Sequence, residues 1–337
     1  MQSLAGILIL TLFLLLGTLC SAQLNVAGHT DTVPAALVAD FDLFSQYASA
    51  IYCDNNAQSP KGTLISCSKG TCSQVEGAKA AVFGNFFNIG YFESTGVLAI
   101  DPLNHRLVLA FRGAEGNGVE AACLNQLISC TAICSGCHCG SGFYNSWTDV
   151  RDQVIAMITA ARQEYPDYSL VLTGHSLGGA QAIFAAAEFR TNGTTATLFT
   201  YGQPRVGDTA FAEYVTSQGQ NYRITHTVDP APRLPPNGTV LGYVHNSPEY
   251  WIFEDTNTNY TVNPGQIKVI YGINSTAGSS VSNMMFRSGV AQRKTDSYLK
   301  GQNVYDESAH VEYFQPQMAL CYTSIAPLGT ATTTASV

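Results

Sequence analysis

Charged side chains are scarce in this chain of 337 residues. Asp, Glu, Lys and Arg together make up 12% of it, whereas about a quarter is usual for a globular protein. The acidic residues outnumber the basic ones and give a formal net charge of −8, which argues against nucleic acid as a partner. The chain also lacks an internal repeat and a Pro-rich linker, so a single domain is favoured after residue 22. Beyond that residue no hydrophobic run is long enough to span a membrane.

The amino-terminal segment contains no Asp, Glu, Lys or Arg. An almost unbroken apolar run extends from Leu4 to Leu16, and small residues follow it at 20–22. The run is too short to span a bilayer, which needs about 20 residues, and no stop-transfer pattern flanks it. A cleaved signal peptide is therefore favoured over a retained anchor, although the usual basic residue before the run is missing. We predict a signal peptide at 1–22, one domain at 23–328 and a disordered tail rich in Thr, Ser and Ala at 329–337.

Cysteine is abundant, with ten residues in the chain. Cys20 lies in the predicted signal peptide, so nine remain, and in an exported protein most of these should form disulfides. The crowded stretch 130–139 suggests metal ligands, but an oxidising compartment and the lack of a second Cys/His pair at zinc-site spacing weigh against this, and we expect no metal. Nine is odd, so at least one thiol is free or paired between chains. The nine are Cys53, Cys67, Cys72, Cys123, Cys130, Cys134, Cys137, Cys139 and Cys321.

Four Asn-x-Thr sequons lie in stretches that have the composition of loops. Sequons also arise by chance, so they carry weight only together with the predicted signal peptide. In that combination they indicate export to a glycosylating compartment. The acceptor residues are Asn192, Asn237, Asn259 and Asn274.

Strand and helix patterns alternate through the middle of the chain. Short apolar runs at 107–111 and 168–173 predict buried strands, and apolar residues at helical spacing over 150–161 predict a helix between them. An alanine-rich helix is predicted at 177–188, followed by a strand at 197–200. This alternation predicts an α/β fold with a central, mostly parallel sheet flanked by helices.

The sequence Gly174-His175-Ser176-Leu177-Gly178 stands between a predicted strand and a predicted helix. It matches G-x-S-x-G, the nucleophile elbow of the α/β-hydrolase fold, in the structural context that this motif requires. Side chains two residues before and two after the serine would collide with neighbouring chain, so both positions are Gly. The helix that begins after the serine directs backbone N–H groups toward the space above its hydroxyl. Ser176 is therefore the candidate nucleophile.

A serine nucleophile needs a base, and the base needs an orienting carboxylate. On this fold the chain order is Ser, acid, His, which excludes the four histidines up to residue 175 and leaves His245 and His310 as the serious candidates. Asp229 ends an apolar-patterned segment just before Pro230 forces a turn, a position from which its carboxylate can face the catalytic edge of the sheet. Spacing alone does not decide between the two histidines.

Further segments extend this pattern along most of the chain, from about residue 41 to residue 321. They are Ile51-Tyr-Cys-Asp-Asn-Asn56, Phe111-Arg-Gly113, Ile133-Cys-Ser-Gly-Cys137, Gly174-His-Ser-Leu-Gly-Gly179, Tyr201-Gly-Gln-Pro-Arg-Val-Gly207, Tyr222-Arg-Ile-Thr-His-Thr-Val-Asp229, Pro232-Arg-Leu-Pro-Pro236 and Ser247-Pro-Glu-Tyr-Trp-Ile252. In this order they resemble the fungal class 3 lipases of the Thermomyces (Humicola) and Rhizomucor type, which have feruloyl esterase relatives. Such a set is far more specific than the elbow alone.

The resemblance implies a catalytic triad of Ser176, Asp229 and His310, as nucleophile, orienting acid and base, and so decides between the two histidines. It also implies that the backbone N–H groups of Ala114 and Leu177 form the oxyanion hole. The disulfides that it implies are Cys53–Cys321, Cys67–Cys72 and Cys134–Cys137.

The chain departs from its family pattern at three places. The relatives carry Ser or Thr where this chain has Ala114, and an alanine side chain has no hydroxyl to help hold the oxyanion. The segment 115–128 corresponds to the lid helix, but its apolar face is thin, and an ordinary surface loop is the alternative. The segment 278–309 is longer than expected and is interpreted as a surface insertion or as a border of the acyl groove. Three cysteines are additional to the family bridges, so one extra disulfide near the lid is a hypothesis; they are Cys123, Cys130 and Cys139.

These observations predict a secreted serine ester hydrolase that works through an acyl-enzyme, with no metal or organic cofactor. The leading prediction is a triacylglycerol lipase whose substrate is an acylglycerol or another ester at a lipid–water interface. A feruloyl-type esterase acting on soluble or cell-wall esters is the alternative within the family. A non-catalytic lipid-binding glycoprotein on the same scaffold is the alternative from another class. No stable protein partner is implied.

Overall fold

Among the residues that the structure describes, eight strands form a central sheet and two short strands form a separate hairpin. In the computed structural model the strands are β1 (Ala81–Ile89), β2 (Ser94–Asp101), β3 (Arg106–Phe111), β4 (Leu127–Ser129), β5 (His138–Gly140), β6 (Ser169–His175), β7 (Ala196–Tyr201), β8 (Asn221–His226), β9 (Glu249–Ile252) and β10 (Ile267–Ile270). The order across the sheet is β1-β2-β3-β6-β7-β8-β9-β10, and β4 pairs with β5. Five strands are mutually parallel: β3, β6, β7, β8 and β9. The remaining strands of this sheet, β1, β2 and β10, lie toward its two ends and pair antiparallel.

The structure describes residues 32–114, 126–235, 242–254, 260–273, 275, 277–280, 308–314 and 318–321. These residues all belong to one compact unit, Asp31–Val337. The predicted signal peptide, the predicted tail, Cys123, most of the lid segment and most of the insertion at 278–309 lie outside them, as do the sequon residues Asn237, Asn259 and Asn274.

Helices cover both faces of the sheet. They are α1 (Ala35–Ala50), α2 (Asp54–Ala57), α3 (Ser73–Gly77), α4 (Ser141–Thr148), α5 (Arg151–Glu164), α6 (Leu177–Thr191), α7 (Thr209–Gln218) and α8 (Ser308–Val311). One apolar cluster lies between the sheet and α4 to α7, and a second lies between the sheet and α1. None of the helices within these described ranges is long and apolar enough to cross a membrane.

Strand β3 shows why the central strands have continuous apolar sequences. Leu107, Leu109 and Phe111 belong to one cluster, whereas Val108 and Ala110 belong to the other. Side chains of a strand alternate between the two faces, and both faces are covered by helices, so every position after Arg106 is buried and no polar alternation develops. The predicted mostly parallel sheet flanked by helices is confirmed.

The helix expected at 150–161 is observed as α5, which begins at Arg151 and ends at Glu164. A second helix, α4, precedes it directly, and the sequence analysis did not predict that helix. Phe143 and Trp147 of α4 lie four residues apart and are both fully buried, so one face of this short helix is apolar. The chain changes direction at Asp149 and Val150, which prevents α4 and α5 from forming one long helix.

Four disulfides are present among the described residues. The bonds Cys53–Cys321, Cys67–Cys72 and Cys134–Cys137 have the pairing that the resemblance implies. A fourth bond joins Cys130 to Cys139 at the loop end of the β4–β5 hairpin. Two of the three additional cysteines are therefore paired with each other, and the crowded stretch 130–139 contains two nested disulfides.

Removal of the Cys53–Cys321 bond by two Cys→Ala substitutions is expected to lower the free energy of unfolding by about 2–5 kcal/mol. The bond joins residues 268 positions apart, so its loss frees the unfolded chain over nearly the whole domain. Guanidinium unfolding would measure the loss. The Cys67–Cys72 bond, with a separation of 5, is the control, and its removal should cost less because a shorter loop has a smaller closure entropy. Equal losses would contradict the entropic argument.

Candidate active site

Ser176 stands at the sharp turn between β6 and α6. Its backbone has φ 56° and ψ −123°, a conformation that costs a non-glycine residue about 1–3 kcal/mol and is found where neighbouring structure holds it. The N–H of Ser176 donates to the carbonyl of Tyr201 at 2.9 Å, so β7 holds the turn. Its side chain lies at the carboxyl end of the parallel strands, the edge at which open α/β sheets bind ligands.

The two glycines of the elbow are required by close backbone contacts. A Cβ atom on Gly174 would lie 2.2 Å from the carbonyl oxygen of Gly178, and a Cβ on Gly178 would lie 2.2 Å from that of Phe111. Neither backbone can move away without opening the turn or separating α6 from β3. The steric reason inferred from the motif is therefore observed in the structure.

His310 contacts both of the other predicted triad residues. Its Nε2 lies 2.9 Å from Ser176 Oγ, and its Nδ1 lies 2.9 Å from Asp229 Oδ1. His310 comes from the short helix α8, whereas Asp229 follows β8 at the turn before Pro230. The other candidate, His245, is buried elsewhere, with its Nε2 2.7 Å from the carbonyl oxygen of Pro232.

Asp229 is fully buried and has four hydrogen-bond contacts. Besides its two contacts with His310, it accepts a bond from the Tyr313 hydroxyl at 2.5 Å and one from the N–H of Ala231 at 2.8 Å. Burial raises the pKa of Asp229, but the charge of His310 and these hydrogen bonds outweigh burial and hold the pKa below its usual range. Asp229 is therefore ionised, and it accepts the Nδ1–H of His310, which leaves Nε2 to accept the proton of Ser176.

Tyr52 and His175, for which the sequence predicted no role, connect the parts of this site. The N–H of Gly113 donates to the Tyr52 hydroxyl at 3.1 Å, and that hydroxyl lies 2.7 Å from Nδ1 of His175. Nε2 of His175 lies 2.6 Å from the backbone carbonyl of His310. Because the carbonyl can only accept, His175 carries its proton on Nε2, and its Nδ1 accepts from Tyr52. Both residues occur in the quoted motifs, but only the fold brings them together.

His175 stays neutral in this environment. Burial and, to a smaller extent, the nearby charge of His310 lower the pKa of His175 to about 3. The neutral imidazole can therefore hold the chain at His310 without competing for the proton of Ser176.

The expected oxyanion donors belong to two segments that meet near Ser176. Leu177 is the first residue of α6, where backbone N–H groups have no partner within the helix. Ala114 follows Gly113, whose own position is close to the serine: a Cβ on Gly113 would lie 3.2 Å from Cβ of Ser176. The arrangement can therefore accept a serine proton on one side and hold a developing negative charge on the other.

One expected glycosylation site and one group of three cysteine sulfurs also lie within the described residues. Asn192 directly follows α6 and is exposed, so its glycosylation stays a prediction that the geometry allows. The sulfurs of Cys53, Cys67 and Cys321 lie within 4.8 Å of one another. All three are in disulfides, so they offer no thiolate to a metal ion.

Comparison with known proteins assigns the family. The family model "Lipase (class 3)" matches residues 108–239. The secreted mono- and diacylglycerol lipase A of Penicillium cyclopium is 41% identical over 233 residues, which are 69% of this chain and 75% of that protein. The chain belongs to the class 3 lipase family. A second relative, secreted mono- and diacylglycerol lipase 1 of Fusarium solani, is 36% identical over 293 residues, which are 86% of this lipase and 79% of that protein.

Solved structures agree with this assignment. The mono- and diacylglycerol lipase of Aspergillus oryzae has a TM-score of 0.74 at 35% identity, covering 86% of this chain and 100% of that chain. The predicted fungal class 3 lipase family and the α/β-hydrolase fold are thereby confirmed. This class 3 lipase is a secreted ester hydrolase, as the sequence predicted.

Replacement of His175 by Gln is expected to weaken the pH dependence of stability. A buried neutral histidine, whose pKa is about 3 when folded and about 6.5 when unfolded, takes up a proton mainly in the unfolded chain. Wild-type stability should therefore fall as the pH drops from about 6.5 toward about 3, by at most about 1.4 kcal/mol per pH unit from this residue. Urea unfolding at several pH values would measure both proteins, and the difference at pH 8 gives the packing loss alone. An unchanged slope in His175→Gln would contradict the assignment.

Proposed function

We propose that Ser176 attacks the carbonyl carbon of an ester with His310 as the general base and Asp229 as the orienting acid. The observation that carries this proposal is the continuous contact from Ser176 Oγ to His310 Nε2 at 2.9 Å and from His310 Nδ1 to Asp229 Oδ1 at 2.9 Å. A nucleophile, its base and an orienting group within hydrogen-bond distance are the signature of an activated serine.

In the proposed reaction, the bond between Ser176 Oγ and the substrate carbon forms as the serine proton moves to Nε2 of His310. The negative charge on the former carbonyl oxygen is held by the backbone N–H groups of Leu177 and Ala114. His310 then gives its proton to the leaving alcohol as the acyl-enzyme forms. Water attacks the acyl-enzyme by the same route and releases the fatty acid. These steps call for no metal and no organic cofactor.

The buried charge of Asp229 supports the base step. When His310 takes up the serine proton it becomes a cation, and an ionised carboxylate at 2.9 Å in a buried setting stabilises that cation. The Tyr313 hydroxyl and the N–H of Ala231 keep Asp229 in place and ionised. The geometry therefore favours the charge distribution of the transition state before substrate arrives.

We infer that the substrates are acylglycerols at a lipid–water interface. Two relatives at 36–41% identity are named as mono- and diacylglycerol lipases, which favours partial acylglycerols alongside the triacylglycerols expected from the sequence. The soluble esters of a feruloyl-type esterase are the comparison substrates. Assays of emulsified mono-, di- and triacylglycerol against dissolved short-chain and feruloyl esters, across the solubility limit, separate these classes.

Replacement of Ser176 by Ala is expected to reduce turnover on every ester by about 10⁵-fold or more and to abolish covalent labelling by a fluorophosphonate. Ser217→Ala, the same chemical change at an exposed position on α7, is the control and should retain wild-type rates. Labelling of Ser176→Ala at the wild-type rate would refute the assignment of the nucleophile. Activity confined to dissolved esters would reject lipid as the substrate but would leave the assignment of the triad unchanged.

Replacement of Ala114 by Thr is expected to raise turnover on a dissolved ester on the order of tenfold. The new hydroxyl adds a donor to the oxyanion, whereas loss of a preorganised donor in another hydrolase costs about 10²–10³. Ala114→Val has nearly the same shape without the hydroxyl and is the matched control. Equal rates for the two variants would show that this side chain does not reach the oxyanion.

A further inference from the structure

The turn between β1 and β2 presents a large aromatic side chain to solvent. Tyr91 is 81% exposed, the highest value for a large hydrophobic residue among those that the structure describes. Its ring contacts the ring of Phe92 edge-on, with centroids 5.1 Å apart, and Phe92 packs partly against the apolar cluster beneath. The exposed ring is therefore supported by a partly buried one.

This turn lies at the same edge of the sheet as Ser176. Phe111, the last residue of β3, pairs with Gly96 of β2 and with Gly174 of β6. From Gly96 the β1–β2 hairpin continues to the pair Ile89 and Ser94 before it turns. Tyr91 therefore projects past the level at which β3 ends and the candidate active site begins.

The turn is tied to the segment that carries the expected oxyanion donor. Arg112 donates from its backbone N–H to the carbonyl of Thr95 at 2.9 Å and from its guanidinium to the side chain of Asn88 at 2.9 Å. On the other side, Ser94 donates to the carbonyl of Ser146 at 3.0 Å. Hydrogen bonds thus hold the hairpin from two sides next to its turn, and they fix the position of the turn relative to the active site.

The charges at the tip are acidic. Glu93 lies on the turn and is exposed, and the exposed carboxylate of Asp149 lies against Gly90. These charges would repel a surface of anionic headgroups. An uncharged acylglycerol surface has no such penalty, and tyrosine, with an apolar ring and a polar hydroxyl, favours the boundary between water and lipid.

A single exposed apolar residue is ordinary on a protein surface. Leu103, 70% exposed, is such a residue: it lies in the turn between β2 and β3, at the opposite edge of the sheet. Tyr91 differs in three ways: it lies at the active-site edge of the sheet, its ring packs against that of Phe92, and hydrogen bonds hold the strands next to its turn. Leu103 therefore serves as a matched control on the same β-meander.

We propose that the turn 90–93 is a lipid-contact point, at which Tyr91 inserts into an uncharged acylglycerol surface and holds the active-site edge against it. This inference rests on the proposed function at a lipid–water interface. It adds a contact that is independent of the lid segment.

The test measures binding and catalysis separately. Binding is the fraction of protein that sediments with a trioleoylglycerol emulsion, measured in the Ser176→Ala background so that the lipid is not consumed. Tyr91→Ser should reduce the partition coefficient by about tenfold, Tyr91→Trp should retain it, and Leu103→Ser should match the parent. With Ser176 intact, the rate on emulsion divided by the rate on a dissolved ester should fall in Tyr91→Ser alone.

Binding that is unchanged in Tyr91→Ser would overturn the inference. The turn would then contact a protein partner or solvent and not lipid. An equal loss in Leu103→Ser would also overturn it, since the effect would then reflect general surface hydrophobicity. Absence of activity on all esters in the protein with Ser176 intact, together with Tyr91-dependent binding, would reject the proposed function while supporting the contact point.

Discussion

The site depends on a backbone contact that only glycine permits. Gly178 at the start of α6 lies so close to the carbonyl of Phe111 that a Cβ would be 2.2 Å from its oxygen. This approach brings the end of β3 against the start of α6, and it places the segment that follows Phe111 beside Ser176. The strained backbone at Ser176 is then stabilised from β7 through Tyr201. Three adjacent strands thus determine where the serine hydroxyl and its expected oxyanion donors lie.

His310, the proposed base, lies 134 positions after Ser176 in the chain, so its segment has to be held at the site by other contacts. The carbonyl of His310 accepts a bond from His175 at 2.6 Å, which fixes the segment at its amino-terminal side. At its carboxyl-terminal side, the carbonyl of Met318 accepts a bond from Ser49 at 2.8 Å, and Cys321 is bonded to Cys53. Ser49 and Cys53 flank Tyr52, which itself contacts His175. Residues 49–53 therefore hold the segment that carries the proposed base at two places, at Met318 and Cys321 and, through the elbow histidine, at His310.

The sequence was sufficient for the local features and insufficient for those that depend on packing. The elbow, the central strands and α6 follow from motif and periodicity, because each is determined within a few residues. Residue-level reasoning left His245 and His310 undecided, since the contact between His310 and Ser176 spans 134 positions and depends on the whole fold. The pairing of Cys130 with Cys139 was equally undetermined, because it depends on the β4–β5 hairpin, which has only three residues in each strand.

Two histidine rings 4.5 Å apart could compete for one proton, and the structure prevents this by giving them different surroundings. A proton on Nδ1 of His175 would remove the acceptor of the Tyr52 hydroxyl and would place a second cation beside His310 in a buried region. His310 is instead 21% exposed and faces the ionised Asp229. A proton is therefore costly at His175, and in the proposed reaction the serine proton moves to His310, which lies within hydrogen-bond distance of Ser176 and can return the proton to a leaving group. Burial keeps His175 neutral, and its hydrogen bond to the carbonyl of His310 holds the chain there. The same buried side chain therefore positions the proposed base without competing with it for the proton.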